Sequence, residues 1–135
     1  MPAPLPVRQV RLIFAVADVP RARAFYDRAF GWEVGAEVPV YVEYRLPGGM
    51  LLGLYRREGF ACNTGQASVA TPAGGLTATE IYLRVEDLGE AVARLTAAGA
   101  RLLSPAAPRE WGDEAAYFAD PDGNVIAVAR APVPS

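Results

Sequence analysis

One short plan occurs twice in this chain, and that repetition limits the fold more than any other feature. Ile13-Phe14-Ala15-Val16-Ala17-Asp18-Val19 aligns with Tyr82-Leu83-Arg84-Val85-Glu86-Asp87-Leu88: a β-rich run, an aspartate, then an amphipathic helix. The first helix is expected over Val19–Phe30, where Ala22, Phe25, Tyr26, Ala29 and Phe30 keep helical spacing. Leu88, Ala91, Val92, Leu95 and Ala98 form the matching face of the second. Asp18 and Asp87 stand where a carboxylate can accept the free N–H groups of a first turn, and Pro20 is tolerated only that early. Gly31 and Gly99 end the two helices, as a left-handed C-terminal residue requires.

Short strands follow each helix. They are expected at Glu33–Glu37, Val40–Leu46 and Met50–Tyr55, with Pro47-Gly48-Gly49 as a turn, and again at Arg101–Leu103, Glu114–Ala119 and Asn124–Ala129, with Asp120-Pro121-Asp122-Gly123 turning between the last two. Residues 59–76, rich in Gly, Ala, Thr and Pro, read as a linker between a first module over about 7–58 and a second over about 77–130. Residues 1–6 and 131–135 read as tails. Neither half holds enough apolar surface to stand alone, so the two are expected to associate.

Composition narrows the chemistry. There is no histidine, and all 13 basic residues are arginine. Imidazole-based metal sites and Ser-His or Cys-His nucleophiles are therefore absent, and so is Schiff-base lysine chemistry. Carboxylates, tyrosines and arginines remain. A net charge of -2 gives no electrostatic case for nucleic acid, and no apolar run approaches a membrane span. The first residues, Met1 to Pro6, lack the charged start and apolar core of a signal peptide. With Cys62 as sole cysteine no intrachain disulfide can form, and a reducing cytoplasm is expected. No positive field is evident in the loop around Cys62 beyond Arg56 and Arg57, so it reads as incidental.

Val16-Ala17-Asp18-Val19-Pro20-Arg21-Ala22-Arg23-Ala24-Phe25-Tyr26 through Phe30-Gly31-Trp32, together with Tyr117-Phe118-Ala119-Asp120-Pro121-Asp122-Gly123-Asn124, resembles the vicinal oxygen chelate superfamily of glyoxalases, bleomycin-resistance proteins and extradiol dioxygenases. The resemblance implies an α+β fold of two tandem βαβββ modules. Their curved mixed sheets would form a half-open barrel with a cavity, helices outside. It also implies a homodimer. Metal-using members carry four ligands, and the equivalent positions here are Arg11, Gly53 (to within a residue), Glu80 and Ala127. Only Glu80 could coordinate, and an arginine repels a cation. No metal and no cofactor is expected.

If Arg11 and Glu80 face the cavity, strand alternation sends Tyr82, Arg84, Tyr41, Glu43, Arg45 and Tyr55 the same way. Val10, Leu12, Phe14, Val16, Ile81, Leu83 and Val85 then pack beneath the helices. Trp111, in the loop Arg109-Glu110-Trp111-Gly112-Asp113, is placed to lie across the cavity mouth. Arg11, Tyr41, Glu43, Arg45, Tyr55, Glu80, Tyr82, Arg84 and Trp111 are thus the expected ligand-binding set. Two readings follow: a pocket for a small polar or aromatic molecule, or internal ion pairs that close a dead cavity. The first gives a metal-free binding protein. An enzyme of isomerase- or lyase-like proton transfer, with Glu80 or Glu43 as base and Arg11 or Arg45 steadying an oxyanion, is the alternative, followed by a metal-dependent lyase or dioxygenase. Arg11 and Glu80, equivalent in the two halves, are expected to pair directly or through one water or ligand.

Overall fold

The computed structural model describes residues 2–132. Met1 and residues 133–135, which belong to the expected tails, lie outside the described residues. Within them the chain order is β1 (Arg11–Val16), α1 (Val19–Ala29), β2 (Val34–Val38), β3 (Tyr41–Arg45), β4 (Leu51–Arg56), α2 (Arg57–Thr64), β5 (Glu80–Arg84), α3 (Leu88–Ala97), β6 (Arg101–Pro108), β7 (Glu114–Ala119) and β8 (Val125–Arg130). The strands form two four-stranded sheets, ordered β1-β4-β3-β2 and β5-β8-β7-β6. In each sheet the first strand runs parallel to the last of its half, and every other pair is antiparallel. The fold is therefore α+β with two βαβββ halves and curved mixed sheets; the barrel does not close.

The caps form as the sequence requires. An Asp18 carboxylate oxygen accepts the Arg21 N–H at 3.1 Å, and Asp87 accepts that of Glu90 at 3.0 Å. Gly31 and Gly99 follow the helices with φ of +64° and +92°. Two features differ from expectation. Strand β6 continues to Pro108, five residues past Leu103, with register breaks between Leu102 and Ser104 and again between Ser104 and Ala107. It is an edge strand, where proline removes no ladder bond. Helix α2 occupies the start of the glycine-rich segment and buries no residue, so it has no apolar stripe to reveal it.

The helix-facing rows of both sheets merge into one core. Phe14, Val16, Val42, Tyr44, Leu52 and Leu54 from the first half join Ile81, Ala116, Phe118, Ile126 and Val128 from the second, together with the apolar faces of α1 and α3. Leu12, Leu83 and Val85 are partly buried against this cluster, while Val10 stays 48% exposed, just ahead of β1. The two helices touch, so the halves join through their helix-bearing sides. Polar bonds fasten the joint: the Tyr26 hydroxyl donates to Asp120 at 2.7 Å, and Asp122 accepts the Ala17 N–H at 2.9 Å. The opposite, concave faces consequently point away from the shared core. Among the described residues no hydrogen bond or ion pair links one concave face to the other.

Candidate functional site

Each concave face carries a carboxylate held by an arginine and a tyrosine. On the first, the buried Glu43 accepts the Arg11 Nε–H at 3.1 Å and the Tyr41 hydroxyl at 2.7 Å, both on Oε1. Arg11 and Glu43 lie on β1 and β3, the strands flanking β4. They meet because Gly53, registered between Ile13 and Glu43, has no side chain. A Cβ there would come within 2.5–2.8 Å of the Tyr41 phenol, whose ring occupies that space. Burial raises the Tyr41 hydroxyl to a pKa of about 12, with its bond to Glu43 adding to the shift. It is therefore a proton donor at neutral pH. Glu43, Arg11 and Arg45 line a cavity of about 370 Å³, and Arg45 is also paired with Glu33 at 3.2 Å. Tyr55 meets Tyr41 edge-on at 5.6 Å. Its ring lies over Gly59 of α2, where a Cβ would overlap it.

On the second face the carboxylate is Asp113, its side chain wholly inaccessible to solvent. It accepts the Tyr82 hydroxyl at 2.6 Å and two N–H groups of Arg84 at 3.1 Å each. The Trp111 indole N–H donates to Tyr82 at 2.8 Å, and the indole meets the Tyr82 ring edge-on at 6.2 Å. Trp111 remains 55% exposed beside this face. Ala127, fully buried, is registered between Tyr82 and Tyr117. The hydrogen bond from Tyr82, and after it those from Arg84, holds the Asp113 carboxyl below its usual value despite desolvation. A carboxyl lowered by folding contributes stability above its ordinary pKa and loses it as pH falls through the lowered one. Trp111 fluorescence, isolated by difference against Trp111→Phe, should thus hold steady from neutral pH to about 4 and change only in stronger acid. Tyr82→Phe should move that transition upward in pH. A wild-type transition centred above pH 4 would contradict this assignment.

The expected site residues therefore fall into two groups. Arg11, Tyr41, Glu43, Arg45 and Tyr55 share the first face; Tyr82, Arg84 and Trp111 share the second. The direct Arg11–Glu80 pair does not form: Arg11 bonds Glu43 within its own sheet, and Glu80, exposed at the start of β5, belongs to the other. Asp113 was not among the expected residues, although it organises the second cluster. Nor do the four family ligand positions suit a metal. Gly53 and Ala127 offer no donor, the space over Gly53 is filled by Tyr41, and Arg11 presents a cation.

The family model described as Glyoxalase/Bleomycin resistance protein/Dioxygenase superfamily matches residues 8–128. Among solved structures, a glyoxalase-related enzyme from Fulvimarina pelagi is 26% identical, with a TM-score of 0.80 over 92% of this chain and 88% of its own. TioX from Micromonospora sp. ML1 is 25% identical, with a TM-score of 0.67 over 92% of this chain and 98% of its own. A lactoylglutathione lyase from Agrobacterium tumefaciens, 20% identical with a TM-score of 0.66 over 95% of each chain, shares the fold. Among curated proteins no sequence matches. No helix among the described residues is long and apolar enough to cross a membrane.

Proposed function

We propose, from the premise that the chain belongs to the Glyoxalase/Bleomycin resistance protein/Dioxygenase superfamily, that it is a metal-free binding protein for a small polar or aromatic compound. The observation that carries this reading is the first-face cluster. One oxygen of the buried Glu43 is fixed by two donors, while Arg11 and Arg45 stand beside it at a cavity of about 370 Å³. That size and mixture of groups suit a small-molecule pocket. Preorganised polar groups of this kind give orientation at low entropic cost.

The two concave faces, turned away from each other within one chain, suggest how the pocket is finished. In a two-fold homodimer the first sheet of one copy would face the second sheet of its partner. The Trp111–Tyr82 pair would then close over the Arg11–Glu43–Tyr41 cluster, and the exposed Ile13 and Trp111 would be covered. Light scattering should accordingly give a dimer mass at tens of micromolar. A monomer would remove this part of the reading.

Proton-transfer catalysis is the second reading, and one observation selects its base. Glu43 is buried and oriented, whereas Glu80 is exposed. A panel of small aromatic and polar acids, amides and amines, followed by thermal shift and calorimetry, tests both. For a compound that binds, Glu43→Gln should weaken affinity by roughly tenfold or more, the scale of a charge-assisted hydrogen bond. Undiminished affinity in that variant would overturn the binding site as drawn. Turnover of the bound compound, lost in Glu43→Gln, would replace binding by catalysis.

A further inference from the structure

A second cavity, of about 220 Å³, lies farther along β1, between that strand, α2 and parts of the segment that follows α2. It shares no lining residue with the Arg11–Glu43 cavity. Ile13 and Phe60 form apolar wall, and Ser68 and Thr79 bring hydroxyl-bearing side chains to it; the Thr77 hydroxyl, also at the wall, already donates to Asn124 at 2.9 Å. Its one charged lining residue is Arg57, whose Nε is buried and bonded to no described residue. The neighbouring acid Glu58 is paired instead with Arg56 at 3.4 Å, and among the described residues Arg57 belongs to no ion pair. The Nε is closed off from the cavity, so an anion there would meet the remaining N–H groups of this half-buried guanidinium, whose charge no carboxylate among the described residues balances.

We propose that this cavity binds a small organic carboxylate, the carboxyl group on Arg57 and its hydroxyl neighbours, the apolar body against Ile13 and Phe60. A single guanidinium matches a monoanion, and a planar carboxylate suits its fork. A phosphate dianion would find one cation and an apolar wall. The cavity is smaller than the usual range for drug-sized ligands, which limits the occupant to a short or single-ring acid. The site stands apart from the Glu43 cluster, with which it shares no lining residue, although Ile13 at its edge is among the residues that the proposed dimer covers.

The test is a titration of the full chain with benzoate, followed by amide chemical shifts and calorimetry, with inorganic phosphate run separately. Saturable benzoate binding is expected, with shifts centred on Arg57, Phe60 and Thr79. Arg57→Gln should weaken it roughly tenfold or more, and Thr79→Val to a smaller extent. Glu43→Gln should leave it unchanged. Circular dichroism confirms that each variant is folded, and Arg57 is only half-buried at the start of a surface helix. The proposal is overturned by absence of saturable benzoate binding, by unchanged affinity in Arg57→Gln, by shifts centred on Glu43, or by phosphate binding more tightly than benzoate.

Discussion

Replacing Asp120 by alanine should cost about 3–5 kcal/mol of stability, the largest loss expected from a single polar substitution in this chain. Both carboxylate oxygens are saturated. One accepts the backbone N–H groups of Asp122 and Asn124 at 2.9 and 2.8 Å; the other accepts the Tyr26 hydroxyl at 2.7 Å and the Asn124 amide at 3.0 Å. Alanine strands four donors at a buried position, one of them reaching across from the other half. Asp120→Asn keeps the shape but turns an amino group toward two donors, so a loss of about 2 kcal/mol is expected. Burial raises the Asp120 carboxyl despite its four donors. With the folded pKa above the unfolded one, the group's contribution is full below the ordinary carboxyl pKa and declines as pH rises through the raised value. The alanine variant should therefore fall further behind the wild type at pH 4 than at pH 7. Urea unfolding at both pH values checks the size and the sign. A loss below about 1 kcal/mol would mean that the turn is not the clasp described here.

Phe118→Ala is the second large effect, at about 3–5 kcal/mol, because the ring is 1% exposed and packs in the core common to both halves. The loss should reach the whole chain. Each half carries one tryptophan, Trp32 stacked on Phe30 at 4.1 Å in the first and Trp111 in the second. If the halves share one core, a cavity in the second must lower the midpoint of the first. Single-tryptophan variants, with and without Phe118→Ala, should unfold at coincident midpoints. Separate transitions, with Trp32 indifferent to Phe118, would show two independent units.

Much of this architecture was legible because it rests on local rules. The aspartate caps, the terminating glycines and the period-two rows follow from residue type and spacing alone, and they place Phe14, Val16 and Ile81 beneath the helices. Helix α2 escaped because it buries nothing. The pairing of Arg11 escaped for a different reason. Alternation says which face a side chain takes but not which neighbour it meets, and here the bare Gly53 lets Arg11 and Glu43 join across β4. That gap in the strand was visible as a glycine, yet its use depends on register. Asp113 sits in an irregular loop, 29 residues from Arg84 and 31 from Tyr82. Its one local sign is Gly112, with φ of +101°, which turns the chain just before it.

A metal-free pocket between the Glu43 face of one copy and the Trp111 face of its partner is the proposed ligand site. Its most direct test is a titration of isotopically labelled protein, in excess EDTA, with a compound found by the binding screen. Undiminished affinity in the chelator is expected, with simultaneous shift changes around Tyr41, Glu43, Tyr82 and Trp111. Binding that disappears with EDTA and returns with one equivalent of zinc, nickel, iron or manganese would contradict it.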